Sequence, residues 1–297
     1  MKRLNYLLIS ALLVLIGCSP SEEKQKQDNA EQAKKEKLAY EKAFKVAVMP
    51  TMDCLPIYLL KDSILFDSTK IDIRLKQYNA QMDCDTAIIN GRVQASVTDL
   101  FRAERLKRRY HTPITYLTET NAKWQLIANK KSKLTKLSDL SDKMIAMTRF
   151  SVTDYLTNKV VKDGKLKFQA YKVQINDVLV RLKMLENDEL DALWFTEPQA
   201  AQARVWGNNV LYDSKEDAFI PGAIVFVGAP SITEQQEFQN AYNKAADLIN
   251  KNGVQYYSAL IMKYMKVGET VVKSLPKLEY KKAIQPRPAD LNKARSN

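Results

Sequence analysis

The sequence predicts an α/β protein whose folded part contains two blocks, each a mostly parallel sheet flanked by helices. Two observations predict this class. Short apolar runs typical of buried strands alternate with segments that carry helical apolar stripes, and the alternation occurs twice along the chain. An apolar content of 45% over 297 residues is also enough to build one large domain or two ordinary ones.

The first block has the predicted order strand, helix, strand, helix, strand. A continuous apolar run, an alternating run that includes Ile71 and Ile73, and a short run before Thr98 indicate the strands. Gly91 suits the C-terminal end of the second helix. Strands are therefore expected at 46–49, 71–78 and 95–97, and helices at 55–65 and 86–90.

The second block repeats the alternation and then continues into helices. Ile175, Val178 and Leu182 form a helical stripe, and Pro198 suits a first helical turn. Two final helices, expected at 238–249 and 256–265, should return to the first block. The other elements are expected as strands at 124–128, 144–147, 168–173, 191–195 and 222–227, and as helices at 150–161, 175–185 and 197–205.

The N-terminus indicates export. Lys2 and Arg3 precede an apolar run at 7–16, which is too short for a permanent membrane span of roughly 20 residues. The run ends at Gly17-Cys18, and Leu-Ile-Gly-Cys resembles the lipobox of bacterial lipoproteins. The resemblance implies a signal peptide at 1–17 and acylation of Cys18, for example with palmitate, in a cell-envelope protein anchored to a membrane by lipid.

The residues after Cys18 are expected to form a flexible tether over 18–44. They are highly charged and lack an apolar stripe, so they cannot bury enough surface to offset the entropy of ordering. Disorder and a frayed helix both fit this composition. Folding is expected to start at Lys45.

The net charge of +12 is spread along the chain, and its densest cluster runs from Arg102 to Arg109. We interpret this cluster as the solvated face of a helix and expect no nucleic-acid partner. Cys54, Cys84 and His111 do not form a metal-ligand pattern, so neither a metal nor a cofactor is expected. The spacing of the two cysteines leaves open whether they form a disulfide.

Several segments together resemble the nitrate/sulfonate/taurine class of ABC-transporter solute-binding proteins, which includes relatives that bind thiamine precursors. The matching segments are Asp53-Cys54-Leu55-Pro56-Ile57-Tyr58 with Leu65-Phe66, and the stretches 85–96, 137–146 and 185–192 with Glu197-Pro198. Ser63 and the loop at 79–82 stand where this family often has glycine. The loop is therefore expected to approach a ligand differently, and the resemblance does not identify the substrate.

The resemblance implies a two-lobed periplasmic-binding-protein type 2 fold with two hinge crossovers and a ligand held between the lobes. Lobe 1 would contain 45–118 and 222–297, and lobe 2 would contain 119–221. The crossovers are expected near 117–122 and 217–222. The resemblance also implies a monomer that delivers its ligand to an ABC permease and ATPase.

Ligands of open α/β sheets bind beyond the carboxyl ends of strands, where helices begin. The candidate ligand-binding residues at such junctions are Met52, Asp53, Tyr78, Asn79, Thr98, Asp99, Arg149, Ser151, Thr153, Trp194 and Glu197. Asp53, Asp99 and Thr153 equally suit helix capping, and Trp194 and Tyr78 equally suit the core.

The charges of these candidates favour one ligand class. Asp53, Asp99 and Glu197 would repel an anion unless Arg149 outweighed them. Carboxylates with aromatic side chains suit an amine-bearing heteroaromatic ligand, such as a thiamine-precursor pyrimidine.

Three alternatives stay open at this point. They are a sulfonate- or nitrate-type anion binder, an enzyme of the same fold, and a surface lipoprotein with a protein partner. The enzyme is disfavoured because His111 is the only histidine and neither cysteine has an evident base beside it.

Overall fold

A computed structural model describes residues 22–296. Its strands are β1 (Phe44–Val48), β2 (Ile73–Gln77), β3 (Ala95–Asp99), β4 (Ile114–Glu119), β5 (Gln125–Ala128), β6 (Met144–Met147), β7 (Tyr171–Gln174), β8 (Ala192–Phe195), β9 (Asn209–Asp213) and β10 (Gly222–Val227). Its α-helices are α1 (Glu22–Lys42), α2 (Leu55–Asp62), α3 (Gln81–Ile89), α4 (Leu100–Tyr110), α5 (Val152–Asp163), α6 (Val178–Glu186), α7 (Gln199–Val205), α8 (Ile232–Asn252), α9 (Ser258–Met265), α10 (Glu269–Ser274) and α11 (Pro288–Arg295).

The first sheet has five strands in the order β2-β1-β3-β10-β4. β1 pairs in parallel with β2 and β3, so that Val46 lies opposite both Leu75 and Ala95. β10 runs antiparallel to both of its neighbours, β3 and β4. The carboxyl ends of β1, β2 and β3 therefore meet at one edge of the sheet.

The second sheet repeats this plan in the order β7-β6-β8-β5-β9. β6 pairs in parallel with β7 and β8, and β5 is the antiparallel strand. The predicted α/β class with two mostly parallel sheets is confirmed.

Two chain segments connect the sheets. Residues 120–124 lead from β4 to β5, and residues 214–221 lead from β9 to β10. They overlap the crossovers expected near 117–122 and 217–222. The strands of the first sheet lie within 44–119 and 222–227, and those of the second lie within 125–213.

Apolar strands and one face of each neighbouring helix form the core. Every residue of β1 and β10 is buried, which explains why both have continuous apolar stretches rather than an alternating pattern. Phe44 packs against Phe226 and Phe238, with ring centroids 6.3 and 5.3 Å apart. Burial of such large rings contributes most of the stabilisation of each sheet on its helices.

Polar side chains fix where the helices α4, α5 and α6 begin. The Asp99 carboxylate accepts a hydrogen bond from Arg102 N at the start of α4. Ser151 caps α5 and Asp177 caps α6 in the same way. These residues satisfy backbone N–H groups that have no partner within the helix.

Within the predicted tether, residues Glu22–Lys42 form a helix, α1, which is one of the two forms that fit the composition, and its side chains from 24 to 42 are exposed. β1 begins at Phe44, one residue before the expected start of folding. The segment 81–85 begins α3, although its polar residues suggest a loop. β9 was not predicted, because its apolar run, Val210-Leu211-Tyr212, is short and its residues are exposed or half-buried.

The basic run on α4 is not uniformly solvated. Arg102 is buried and forms an ion pair with Asp85, while Arg108 and Arg109 are exposed. Cys54 and Cys84 are buried free thiols. The predicted signal peptide and Cys18 lie outside the described residues.

Two further findings concern only the described residues. None of their helices is long and apolar enough to cross a membrane. Between residues 22 and 296, no group of three or more His, Cys, Asp and Glu side chains is arranged to hold a metal ion.

Candidate functional site

A small cavity of about 90 Å³ lies between the two sheets, where the carboxyl ends of their parallel strands face each other. We call it the inner cavity. Its polar lining from the first sheet and α3 consists of Thr51, Asp53, Gln81, Thr98 and Asp99. The second sheet and its helices contribute Thr148, Ser151, Thr153, Asn176, Arg181 and Thr196.

Direct hydrogen bonds join the two sides around the inner cavity. Met52 N donates to Glu197 O at 2.8 Å, and Val178 N donates to Asn79 O at 2.9 Å. The side chain of Gln199 donates to Pro50 O at 2.7 Å. Two main-chain bonds and one side-chain bond therefore hold the two sides of the inner cavity together.

Asp53 is a buried carboxylate at one end of the inner cavity. The hydroxyls of Thr51 and Thr120 donate to it, the latter at 3.3 Å. Burial is the largest effect on its pKa and raises it, while these hydrogen bonds oppose the shift. Within residues 22–296 it forms no ion pair. A charge buried in this way is costly unless another group compensates it.

Asp99 is also buried, but its carboxylate serves the fold. It accepts hydrogen bonds from Arg102 N, at 3.1 Å, and from Val152 N at the start of α5. It therefore links α4 on one side of the cavity to α5 on the other. Burial raises the pKa of Asp99 to about 6, although the Arg102 charge opposes the shift.

Three hydroxyl side chains form the opposite wall of the inner cavity. Thr153 Oγ1 accepts from Thr148 N at 2.9 Å and lies 2.8 Å from Ser151 Oγ. Ser151 Oγ donates to Thr148 O at 2.7 Å. These bonds hold the β6–α5 turn rigidly, so the hydroxyl groups are positioned before any ligand arrives.

Arg181 on α6 is the functional candidate that sequence reasoning missed. It is buried and donates to Trp194 O at 2.7 Å, to Thr148 Oγ1 at 3.0 Å, and to Ile175 O. Burial lowers its pKa to about 10, so it keeps its charge at neutral pH. Its Nε has no partner among the described residues. The spacing in α6 does mark this position: Arg181 lies three residues after Val178 and four before Leu185, on the buried face of the helix.

Trp194 lines the inner cavity but belongs to the core. It is fully buried, and its indole Nε1 donates to Thr157 Oγ1 on α5 at 2.9 Å. Its ring packs edge-on against Tyr212 at 5.9 Å. These contacts favour the packing interpretation of Trp194 over stacking on a ligand.

A second, larger cavity of about 720 Å³ adjoins the inner one, and we call it the outer cavity. Asp53, Ala122 and Thr196 line both. Met52 and Glu197 line only the outer cavity. The Glu197 carboxylate pairs with Arg204 at 2.8 Å and accepts from Ala201 N at 3.0 Å.

The three acidic candidates therefore do not converge at one point. Asp53 shares the inner cavity with Asp99 and the outer cavity with Glu197.

Three candidates line neither cavity. Tyr78 is half-buried and packs against the core, and Asn79 is exposed, although its carbonyl accepts the bond from Val178. Arg149 is exposed and lies beside the Phe150 ring, 5.3 Å from its centroid. Phe150 has a positive φ, and the chain re-enters the lining of the inner cavity at Ser151.

Comparison with known proteins places this geometry in a family. The model of the family described as NMT1/THI5 like matches residues 51–255. No match was found among curated proteins.

Solved structures share the fold at low identity. The ligand-binding component of an ABC-type import system from Staphylococcus aureus, with zinc bound, is 15% identical, with a TM-score of 0.71 over 86% of this chain and 90% of that one. The alkanesulfonate-binding protein SsuA from Xanthomonas axonopodis pv. citri, bound to MOPS, is 15% identical, with a TM-score of 0.70 over 85% and 89%. The periplasmic nitrate-binding protein NrtA from Synechocystis PCC 6803 is 10% identical, with a TM-score of 0.68 over 78% and 68%.

These structures share the two-lobed architecture of periplasmic binding proteins with the present chain. The family match covers every strand of both sheets except β1, and every residue that lines the inner cavity except Met49. The chain belongs to the NMT1/THI5-like family.

Proposed function

We propose that this protein is the solute-binding component of an ABC importer and closes around a small ligand between its two sheets. The observation that carries the proposal is the inner cavity, whose walls come from both sheets and which the two crossovers allow to open. Rotation about such crossovers is the usual way in which two-lobed proteins close on a ligand. The relatives of known structure that are named as import components support this role.

We further propose that the ligand is a nitrogenous heteroaromatic compound with an N–H or cationic group, such as a thiamine-precursor pyrimidine. Asp53 supports this, because it is a buried carboxylate without a cationic partner among the described residues. An amine or amidine group of a ligand would compensate the charge of Asp53. Its interaction with this carboxylate would become stronger as water is excluded from the cavity. The hydroxyl oxygens of Thr98, Ser151 and Thr153 line the same cavity and could accept hydrogen bonds from further N–H groups of such a ligand.

A sulfonate- or nitrate-type anion is the second candidate. Arg181 supports it, because it brings a buried positive charge to the inner cavity. SsuA is named as an alkanesulfonate-binding protein and NrtA as a nitrate-binding protein. The two carboxylates of the cavity oppose an anion, and Arg181 already donates to three neutral oxygen atoms.

We propose that the protein has no catalytic activity. Burial raises the pKa of both Cys54 and Cys84, so neither thiol ionises readily as a nucleophile. His111 is exposed at the end of α4 and does not line the inner cavity. A bound compound should therefore be recovered chemically unchanged after prolonged incubation.

We also propose export and lipid anchoring through Cys18, with an ABC permease and ATPase as partners. The support is the sequence pattern at 1–18. Metabolic labelling with a palmitate analogue should mark the wild-type chain and not a Cys18→Ala variant. Equal labelling of both would contradict the anchor. Monomeric mass in detergent solution would support the proposed monomer.

Calorimetric titration separates the two ligand classes. 4-Aminopyrimidine, butane-1-sulfonate and nitrate are titrated separately into the purified chain. We expect binding of the aminopyrimidine alone. Binding of only the anions would establish the second candidate, and a protein that binds none of these and carries no co-purified small molecule by native mass spectrometry would favour a surface lipoprotein with a protein partner.

A further inference from the structure

The inner cavity is too small to enclose a ligand of ordinary size. Its volume of about 90 Å³ compares with roughly 300–1,000 Å³ for typical ligand pockets. It can hold one compact ring or head group. Because Asp53, Ala122 and Thr196 line both cavities, the remainder of a longer ligand has a direct path into the outer cavity of about 720 Å³.

The charges that line the outer cavity are mostly compensated. Arg204 pairs with Glu197, and Lys277 lies 3.4 Å from Glu279. Asp213 accepts from the side chain of Gln125 at 3.0 Å and from the main chain of Lys215 at 2.9 Å. Glu216 is exposed at the rim. These groups satisfy one another and leave little net attraction for a ligand.

Lys123 is the exception. Its side chain is half-buried in the crossover 120–124 and lines the outer cavity, one residue after Ala122. Within residues 22–296 it forms no hydrogen bond or ion pair. Partial burial lowers its pKa, and the charge of Asp213 only partly opposes this effect. An ammonium group held away from water without a partner favours an anion beside it.

On the basis of the proposed function, we infer that the ligand is amphoteric: its amine-bearing head occupies the inner cavity beside Asp53, and an acidic group on its tail binds Lys123 in the outer cavity. The charges of Asp53 and Lys123 would lie on opposite sides of Ala122, which lines both cavities. Because Lys123 lies on a crossover, the acidic group would contact a segment that connects both sheets.

A matched pair of probes tests the inference. 3-(4-Aminopyrimidin-5-yl)propanoate and its primary amide have the same head and nearly the same shape, and they differ in the charge of the tail. Each is titrated calorimetrically into the full chain in detergent at pH 7.5. We expect the acid to bind about tenfold more tightly than the amide, since a hydrogen bond to a charged group gains that much over a neutral one.

Two variants assign the effect. Lys123→Met should lower the affinity of the acid to that of the amide. Lys277→Met removes an exposed charge at the rim, which pairs with the exposed Glu279, and should keep most of the preference for the acid. Both variants are checked for an unchanged melting temperature. If Lys123→Met does not fold, the wild-type comparison of acid and amide at low and high salt still decides.

Each remaining outcome overturns the inference. Equal affinity of the wild-type protein for acid and amide would refute the acidic tail. It would leave the aminopyrimidine head, and with it the proposed function, unaffected. A preference that survives Lys123→Met would remove the role of Lys123. Failure of both probes to bind would overturn the amine-bearing ligand class itself, and this inference with it.

Discussion

The outer cavity and the wall that it shares with the inner cavity differ in how their carboxylates are compensated. Glu197, which lines only the outer cavity, pairs with Arg204. Asp53, which lines both cavities, is buried with only hydroxyl and main-chain donors beside it. A compensated pair adds little to stability or binding, whereas a buried charge without a counter-ion leaves free energy that a ligand can recover. The comparison therefore locates ligand recognition at Asp53.

The strongest test of this comparison is Asp53→Asn. Asparagine keeps the size of the side chain and its acceptor oxygen but removes the charge that would attract an amine. We expect the affinity for 4-aminopyrimidine to fall about 100-fold, or about 2.7 kcal/mol, as measured by calorimetry. Glu216→Gln removes the same charge at the exposed rim and should change affinity less than twofold. Equal losses in both variants would contradict the comparison.

A second test displaces Thr120, a neighbour of Asp53, without changing Asp53 itself. A Cβ atom at Gly222 would lie 2.2 Å from Thr120 Oγ1 and 3.1 Å from the Ala122 Cβ. Gly222→Ala must therefore push Thr120 away from Asp53, and we expect the free energy of unfolding to fall by about 2 kcal/mol. Urea denaturation measures this change.

Thr120→Ala in the same chain provides the control for Gly222→Ala. It removes the hydroxyl that the new methyl group would meet. The double variant should recover part of the lost stability. A double variant less stable than Gly222→Ala alone would show that the clash is not the cause.

Asp99 tests whether a structural carboxylate in the inner cavity behaves differently from Asp53. Its pKa of about 6 in the folded protein exceeds the ordinary 3.8. As pH rises between these values, the unfolded chain ionises first and stability is lost. Asp99→Asn avoids this cost, so it should add about 1–2 kcal/mol to the free energy of unfolding at pH 8 and almost nothing near pH 4.

Urea denaturation of both forms across this pH range measures the Asp99 effect. A constant difference between Asp99→Asn and wild type at every pH would contradict the assignment. Loss of stability at pH 8 would show instead that the carboxylate is needed for its bonds to Arg102 N and Val152 N.

The smallest effect is expected in the outer cavity. Glu197→Gln keeps an acceptor for Ala201 N and leaves Arg204 partly exposed to water and beside Gln125. We expect the free energy of unfolding to fall by no more than about 1 kcal/mol, and the affinity for 4-aminopyrimidine to stay within twofold. A loss of affinity above tenfold would indicate that Glu197 binds the ligand directly.

Much of the fold could be predicted because local sequence and tertiary burial agree. β6 and β10 have the predicted bounds, since a short continuous apolar run favours a buried strand. The end of α7 at Val205 was also predicted, but the helix begins at Gln199, with Pro198 at its N-cap, and not at Glu197. β9 was missed because the apolar run of this edge strand is short and its residues are exposed or half-buried.

The candidate site could be predicted less completely, because burial of polar residues depends on distant chain segments. Asp53 and Thr153 were found from their places after strands. Arg181 was missed although its spacing places it on the apolar face of α6, because its burial depends on carbonyl groups of Trp194 and Ile175, which the helical pattern does not show. Arg149 was included because it follows β6, but its side chain is exposed and does not line the inner cavity.

The helix α1 has a consequence for how this chain can vary over evolution. It is polar on every side, its described side chains are exposed, and Lys35 and Glu31 form a pair one turn apart. At 21 residues it extends about 32 Å. Because it contributes no apolar surface to a core, insertions or deletions within it should be nearly neutral for folding. Selection can therefore adjust its length independently of the ligand specificity of the rest of the protein.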